Sequence, residues 1–288
     1  MNLILIHGRD QQGKNPSELK KEWLDTLKEG LSKNGLELPA NVNIVFPFYG
    51  DLLDALSKDI RNPNSIAGVI AKGSIEEKQL SFYFEILSEM ALNAQIDDKQ
   101  IGDLIVGTRE KGPLNWEWIQ AIMRALDTHS PFGDFTLEKS TFDVFVYLTI
   151  DAIKSQINKF ILDSIPQGPT VFVGHSLGSV VGYNVLQELA GQNIKKYITI
   201  GSPLGLLSIK NHLSTPLKMP PSVTGGWYNA YDERDFVALN SLDTVNFNIT
   251  PSIVNSNHVK NKTKNRHGII GYLNDASVAK EIYNALTS

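Results

Sequence analysis

The sequence predicts an α/β fold, with a mostly parallel central sheet flanked by helices. Three observations carry this. Short apolar runs of strand length alternate with longer amphipathic stretches, the pattern of βαβ units. One run, Val171-Phe172-Val173, reads as a fully apolar, buried strand. The composition is that of an ordinary globular chain: 288 residues, 42% hydrophobic and 20% charged, with 22 glycines and 13 prolines. The whole chain, 1–288, reads as one domain with an insertion over 51–140.

Leu3 to His7 is the first strand, closed by Gly8. Ser17 to Lys33 is a helix: Leu19, Trp23, Leu27 and Leu31 recur every four residues, behind Pro16 and before Gly35. Val42 to Phe46 is the second strand. The stretch 51–140 has little strand character. Within it, Gln79 to Ala94 and Asn115 to Leu126 have helical periodicity, the latter placing Trp116, Ile119, Met123 and Leu126 on one stripe. Turn-like breaks at Gly73, Gly107, Gly112 and Gly133 would let such a piece move as a lid. Thr141 to Ile165 reads as one long helix with Phe142, Phe145, Ile153, Ile157, Phe160 and Ile161 on a broad apolar face. The parallel pattern then resumes with strands at Thr170–Gly174, Tyr197–Ile200 and Trp227–Tyr231, and a last one within Phe247–Val254. Helices follow at Leu177–Ala190 and Asp275–Leu286.

Several function classes are excluded by what is missing. With no cysteine, the chain has no disulfide, thiolate metal site or cysteine nucleophile. A net charge of −4, from 27 basic and 31 acidic residues, gives no general pull towards nucleic acid and leaves membrane contact at most peripheral. There is no phosphate loop, dinucleotide fingerprint or metal-ligand spacing, so no cofactor and no metal are expected. Met1-Asn2 leads directly into Leu3-Ile4-Leu5-Ile6 without a basic leader, and a cytoplasmic location is expected.

The chemistry concentrates in Gly174-His175-Ser176-Leu177-Gly178, set between the apolar strand and a helix. A sharp turn there holds Ser176 above the carboxyl edge of the sheet, and Gly174 and Gly178 avoid clashes across it. The helix from Leu177 aims its N-terminal N–H groups and positive dipole end at the same point. A serine hydroxyl needs a base. Around such an elbow the partners follow in the order serine, acid, histidine. Among the six histidines only His258 and His267 lie after the Trp227–Tyr231 strand. His267, just ahead of Gly268-Ile269-Ile270-Gly271-Tyr272-Leu273 and the closing helix, is the better framed. His7 and His175 belong to strand-end turns. The acid lies among Asp232, Glu233 and Asp235; Asp235, ahead of the apolar anchor Phe236-Val237, is preferred over Asp232. Two backbone N–H groups would stabilise an oxyanion, those of Leu177 and of Arg9 in the turn His7-Gly8-Arg9.

These ordered parts resemble the α/β-hydrolase superfamily, over roughly 1–50 and 141–288. Gly-His-Ser-Leu-Gly is the elbow of its lipases and esterases, and Gly201-Ser202-Pro203-Leu204 is similar to lipase-type members. Two departures stand out. The first strand begins at residue 3, so the first two strands of the family would be missing, and Arg9 replaces a small or aromatic residue. The resemblance implies a metal-independent serine hydrolase acting on a carboxylic ester of a small molecule or lipid. Ser176 is then the nucleophile, His267 the base and Asp235 the acid. An acyltransferase, a peptidase or a non-catalytic binding protein on the same fold are the alternatives. The insertion, leaving the sheet edge that carries Ser176, would roof the site as a cap and favour a medium or long acyl chain. Lys260, Lys262, Lys264 and Arg266 read as a solvated loop or a guide for an anionic substrate. Phe82, Tyr83, Phe84, Trp116 and Trp118 read as helical core or as the wall of an acyl pocket.

Overall fold

The computed structural model describes every residue except 62–74, 106–109, 130–136, 190, 192 and 265. The expected breaks at Gly73, Gly107 and Gly133 lie outside the described residues. Six described strands form one sheet: β1 (Asn2–Ile6), β2 (Asn43–Val45), β3 (Thr170–His175), β4 (Ile194–Ile200), β5 (Trp227–Ala230) and β6 (Val254–Ser256). Their spatial order is β2-β1-β3-β4-β5-β6, and every pairing is parallel. From β1 the chain moves one way to β2, then returns to build β3 to β6 on the other side. The crevice between the carboxyl ends of β1 and β3 is therefore the switch point at which open α/β sheets bind ligands.

The alternation of side chains along β1 and β3 sorts the core into two layers. Leu3, Leu5, Val171 and Val173 face α1 (Pro16–Ser32) and the C-terminal helix Ala276–Thr287, through Trp23, Leu27, Leu31, Val278 and Ile282. Ile4, Ile6 and Phe172 face the other layer. That layer contains α2 (Gly50–Arg61), α3 (Ile75–Asn93), α4 (Asp98–Gly102), α5 (Trp116–His129), α6 (Leu137–Thr149), α7 (Asp151–Ser164) and α8 (Leu177–Glu188). The apolar residues of 51–140, among them Leu53, Phe82, Ile86, Trp118 and Ile122, share one core cluster with Phe172 of the sheet. Phe82, Tyr83 and Trp118 are buried there, with Phe84 and Trp116 packed against it.

Two elements differ most from the sequence reading, and β4 starts three residues earlier than expected, at Ile194. The long helix expected over Thr141–Ile165 is two helices, broken at Ile150, whose φ of −111° and ψ of 97° are extended. Asp151 restarts the helix with a carboxylate in its first turn, favourable against the helix dipole. The restart resets the helical phase, so Ile153, Ile157 and Ile161 stay buried while Phe160 is 39% exposed. The strand expected within Phe247–Val254 shrinks to Val254–Ser256. Pro251 has no N–H to give a ladder, and the run ahead of β6 instead places Phe247 edge-on to Trp227 and Tyr183. Among the described residues no helix is long and apolar enough to cross a membrane.

Candidate active site

β3 delivers Ser176 to the switch point in a conformation that an L-residue rarely adopts, φ 53° and ψ −130°. Such backbone costs about 1–3 kcal/mol and persists only where its surroundings hold it. Here the Ser176 N–H donates to the Ile200 carbonyl at 3.2 Å, and the apolar helix α8, buried from Leu177 through Leu186, anchors the other side. The flanking glycines are required by space. A Cβ at Gly174 would lie 2.7 Å from the Gly178 carbonyl oxygen, and one at Gly178 would overlap the carbonyl oxygens of Ile6 and His7. Gly8 is equally tight, since a Cβ there would lie 2.9 Å from that of Ser176.

The structure brings Ser176, His267 and Asp235 into one hydrogen-bonded line. His267 Nε2 is 2.8 Å from Ser176 Oγ, and His267 Nδ1 is 2.7 Å from Asp235 Oδ2. A carboxylate only accepts, so Nδ1 carries the proton and Nε2 is left to accept from the serine hydroxyl. All three residues are buried. Asp235 Oδ1 also accepts the Val237 N–H at 3.2 Å, which fixes the carboxylate plane.

The other acids and the second histidine lie elsewhere. Asp232 accepts from Arg234 Nε and Nη2, each at 3.1 Å, and from the Asn261 N–H at 2.6 Å. It thereby ties the β5 end to the loop that carries His267. Glu233 accepts from Asn257 Nδ2, and His258 is exposed. The basic residues Lys260, Lys262 and Lys264 are exposed, and neither they nor Arg266 line the cavities at Ser176.

Three contributors have no local sequence signal. Tyr272, in the short helix Ile269–Leu273, donates its hydroxyl to Asp235 Oδ2 at 2.7 Å and accepts from the Asp232 N–H at 3.3 Å. Asn261 cages the histidine loop: its amide donates to the Gly268 carbonyl at 2.8 Å, and its Oδ1 accepts from Thr263. Tyr49 secures the β1 turn. Its N–H donates to His7 Nε2 at 3.1 Å and its hydroxyl donates to the His7 carbonyl at 2.8 Å.

The strand-end histidines are structural and neutral. His175 Nε2 donates to the His267 carbonyl at 2.9 Å, and burial, reinforced by His267, holds its imidazole well below the usual range. Burial pushes His7 down to about 4. A depression from 6.5 to about 4 corresponds to roughly 3 kcal/mol. The unfolded chain binds a proton at His7 below pH 6.5 and the folded chain does not, so this contribution is present above 6.5 and is lost as pH falls towards 4. Asp143, pushed up to about 6 mainly by burial, acts in the opposite sense in the same window. The His7 contribution is therefore read as a difference: His7→Asn should lose less stability than the wild type between pH 6.5 and 4 in urea unfolding. Parallel curves would contradict it.

Arg9 and Leu177 flank Ser176. Leu177 opens α8, so its N–H lacks an intrahelical acceptor. Burial lowers the Arg9 guanidinium to about 9, opposed by the Asp143 carboxylate, and it remains a cation at neutral pH. Ser176 borders two cavities. The outer one is open and mixed, with Arg9, Asp10, Lys14 and Glu22 facing it beside Leu19, Trp23 and Ile269. The inner one is a narrow apolar slot between Ile86 and Met90 of α3, Leu137 and Val144 of α6, Ile209 and Val237. Among the described residues no cluster of His, Asp or Glu has the makings of a metal site. A scan against protein-family models finds no match to this chain, and a search of curated proteins finds none either.

Proposed function

We propose that the protein is a serine hydrolase of carboxylic esters, built as an α/β-hydrolase fold with 51–140 as its cap. The observation that carries this reading is the line Asp235–His267–Ser176, with both hydrogen bonds under 3 Å and the serine in a strained turn. The strand order supports the fold assignment, with serine, acid and histidine following β3, β5 and β6.

The chemistry follows from the tautomer. His267 Nε2 takes the Ser176 proton as Oγ bonds to the ester carbonyl carbon. The Arg9 and Leu177 N–H groups receive the oxyanion, and Asp235 stabilises the imidazolium. As the carbonyl re-forms, the carbon–alkoxy bond breaks and His267 passes its proton to the departing alcohol. Water, deprotonated by His267, then attacks the acyl-enzyme and frees Ser176 with the acid.

The two cavities divide the substrate. The acyl group enters the apolar slot and the alcohol sits in the wider outer mouth. As folded, the slot has free space for about one or two water-sized groups. That argues for a short acyl chain, in contrast to the medium or long chain expected from the insertion's length. Forcing a longer chain between α3 and α6 costs about 1–3 kcal/mol unless the helices part. With p-nitrophenyl esters, kcat/KM should be highest for acetyl or butyryl and about tenfold or more lower for octanoyl and palmitoyl. A maximum at octanoyl would show that the cap opens as a lid. No hydrolysis above the Ser176→Ala background for any ester would overturn the hydrolase reading.

A further inference from the structure

The turn after β1 is held by the root of the insertion. His7 and Tyr49 stack with ring centroids 4.3 Å apart and planes within 6°. The Tyr49 N–H donates to His7 Nε2, so the imidazole proton must sit on Nδ1. Nδ1 in turn lies 2.5 Å from the Gly8 carbonyl oxygen and donates to it. That oxygen belongs to the same planar peptide unit as the Arg9 N–H. In a trans peptide the carbonyl and the N–H point in opposite directions. Fixing the Gly8 oxygen therefore fixes the direction of the Arg9 N–H.

Further contacts keep the turn in place. The Tyr49 hydroxyl donates to the His7 carbonyl, and Asp51 accepts the Gly13 N–H at 2.7 Å. Gly50 packs against the backbone of the turn, where a Cβ would lie 3.0 Å from the Gln11 carbonyl carbon. Lys139 of α6 lies 3.9 Å from both Asp10 of the turn and Asp54 of α2.

We propose that His7, with its tautomer set by Tyr49, is a positioning residue that aims the Arg9 N–H at the oxyanion. The assignment rests on the serine-hydrolase reading. It makes the root of the insertion a clamp on the oxyanion turn, whatever the rest of the insertion does. The relay is long-range: residue 49 sets the proton of residue 7, which sets the peptide between residues 8 and 9.

The test uses the full chain, a butyryl ester and a trifluoromethyl ketone, which adds to serine as a tetrahedral oxyanion. His7→Leu removes the donor to Gly8. His7→Asn keeps an N–H near the Nδ1 position. Tyr49→Phe keeps the stack and the backbone N–H and removes only the hydroxyl. Tyr147→Phe is the control, a buried tyrosine whose hydroxyl bonds Asn158 and Asn184 instead. His7→Leu should lower kcat by about 10²–10³, the scale of one lost oxyanion donor, and weaken the ketone in parallel with little change in KM. His7→Asn should recover at least about tenfold of that loss. Tyr49→Phe should fall by about fivefold to tenfold, and Tyr147→Phe should lose stability with kcat unchanged. If His7→Leu fails to fold, His7→Phe decides, since it keeps a ring stacked on Tyr49 and has no N–H for the Gly8 carbonyl. Wild-type kcat and ketone affinity in the folded variants would overturn this assignment while leaving the hydrolase reading intact. Absence of Ser176-dependent hydrolysis in the wild type would overturn both.

Discussion

Ser176→Ala is expected to lower kcat for a butyryl ester by about six orders of magnitude, the scale on which losing a serine nucleophile is felt. The fold should survive the change. Alanine meets the same φ of 53° that serine does, and among the described residues the only side-chain hydrogen bond lost is the one to His267 Nε2. A thermal melt run beside the assay separates the two effects. Activity within tenfold of wild type in a folded variant would remove Ser176 from the chemistry.

Asp235→Asn is expected to cost about four orders of magnitude in kcat. Oδ2 of Asp235 accepts from two donors, His267 Nδ1 and the Tyr272 hydroxyl. An amide nitrogen in that place would face two hydrogens, and an amide oxygen there cannot balance an imidazolium. With the nitrogen turned to His267, the ring must accept at Nδ1 and carry its proton on Nε2. It then presents a hydrogen to Ser176 and can no longer take one. Asp232→Asn should lower kcat by no more than about tenfold, because Asp232 acts on the loop through Arg234 and Asn261 and touches neither Ser176 nor the ring. Steady-state kinetics on the two variants checks the ranking, and its reversal would move the acid role to Asp232.

Most strands and Ser176 were legible because their signals are local. Ser176 sits in five consecutive residues, of which Gly174 is demanded by the turn itself and Gly178 by the backbone of Ile6 and His7. His267 and Asp235 could be proposed from chain order, and their contact, 32 residues apart in sequence, is seen only in the fold. Tyr272, Asn261 and Tyr49 were not legible. The two tyrosines reach across to other elements, as Tyr49 does over 42 residues to His7, while Asn261 ties its own loop through Thr263 and Gly268, and no spacing rule marks either task. The break at Ile150 was hidden because both helices bury their apolar faces and their stripes nearly join. The apolar signal of β4 covers only Tyr197–Ile200, because Lys195 and Lys196 interrupt the run at its start, where the strand is only partly covered. The size of the apolar slot depends on how α3 meets α6, a distance that helical periodicity does not contain.

Covalent labelling with a fluorophosphonate, mapped by peptide mass spectrometry, tests the central claim most directly. A serine with its hydroxyl held 2.8 Å from His267 Nε2 should react while other serines do not. The account predicts a single adduct on the peptide containing Ser176, absent from folded Ser176→Ala. A label that persists in that variant, or esters hydrolysed by a wild type that takes no label at Ser176, would contradict it.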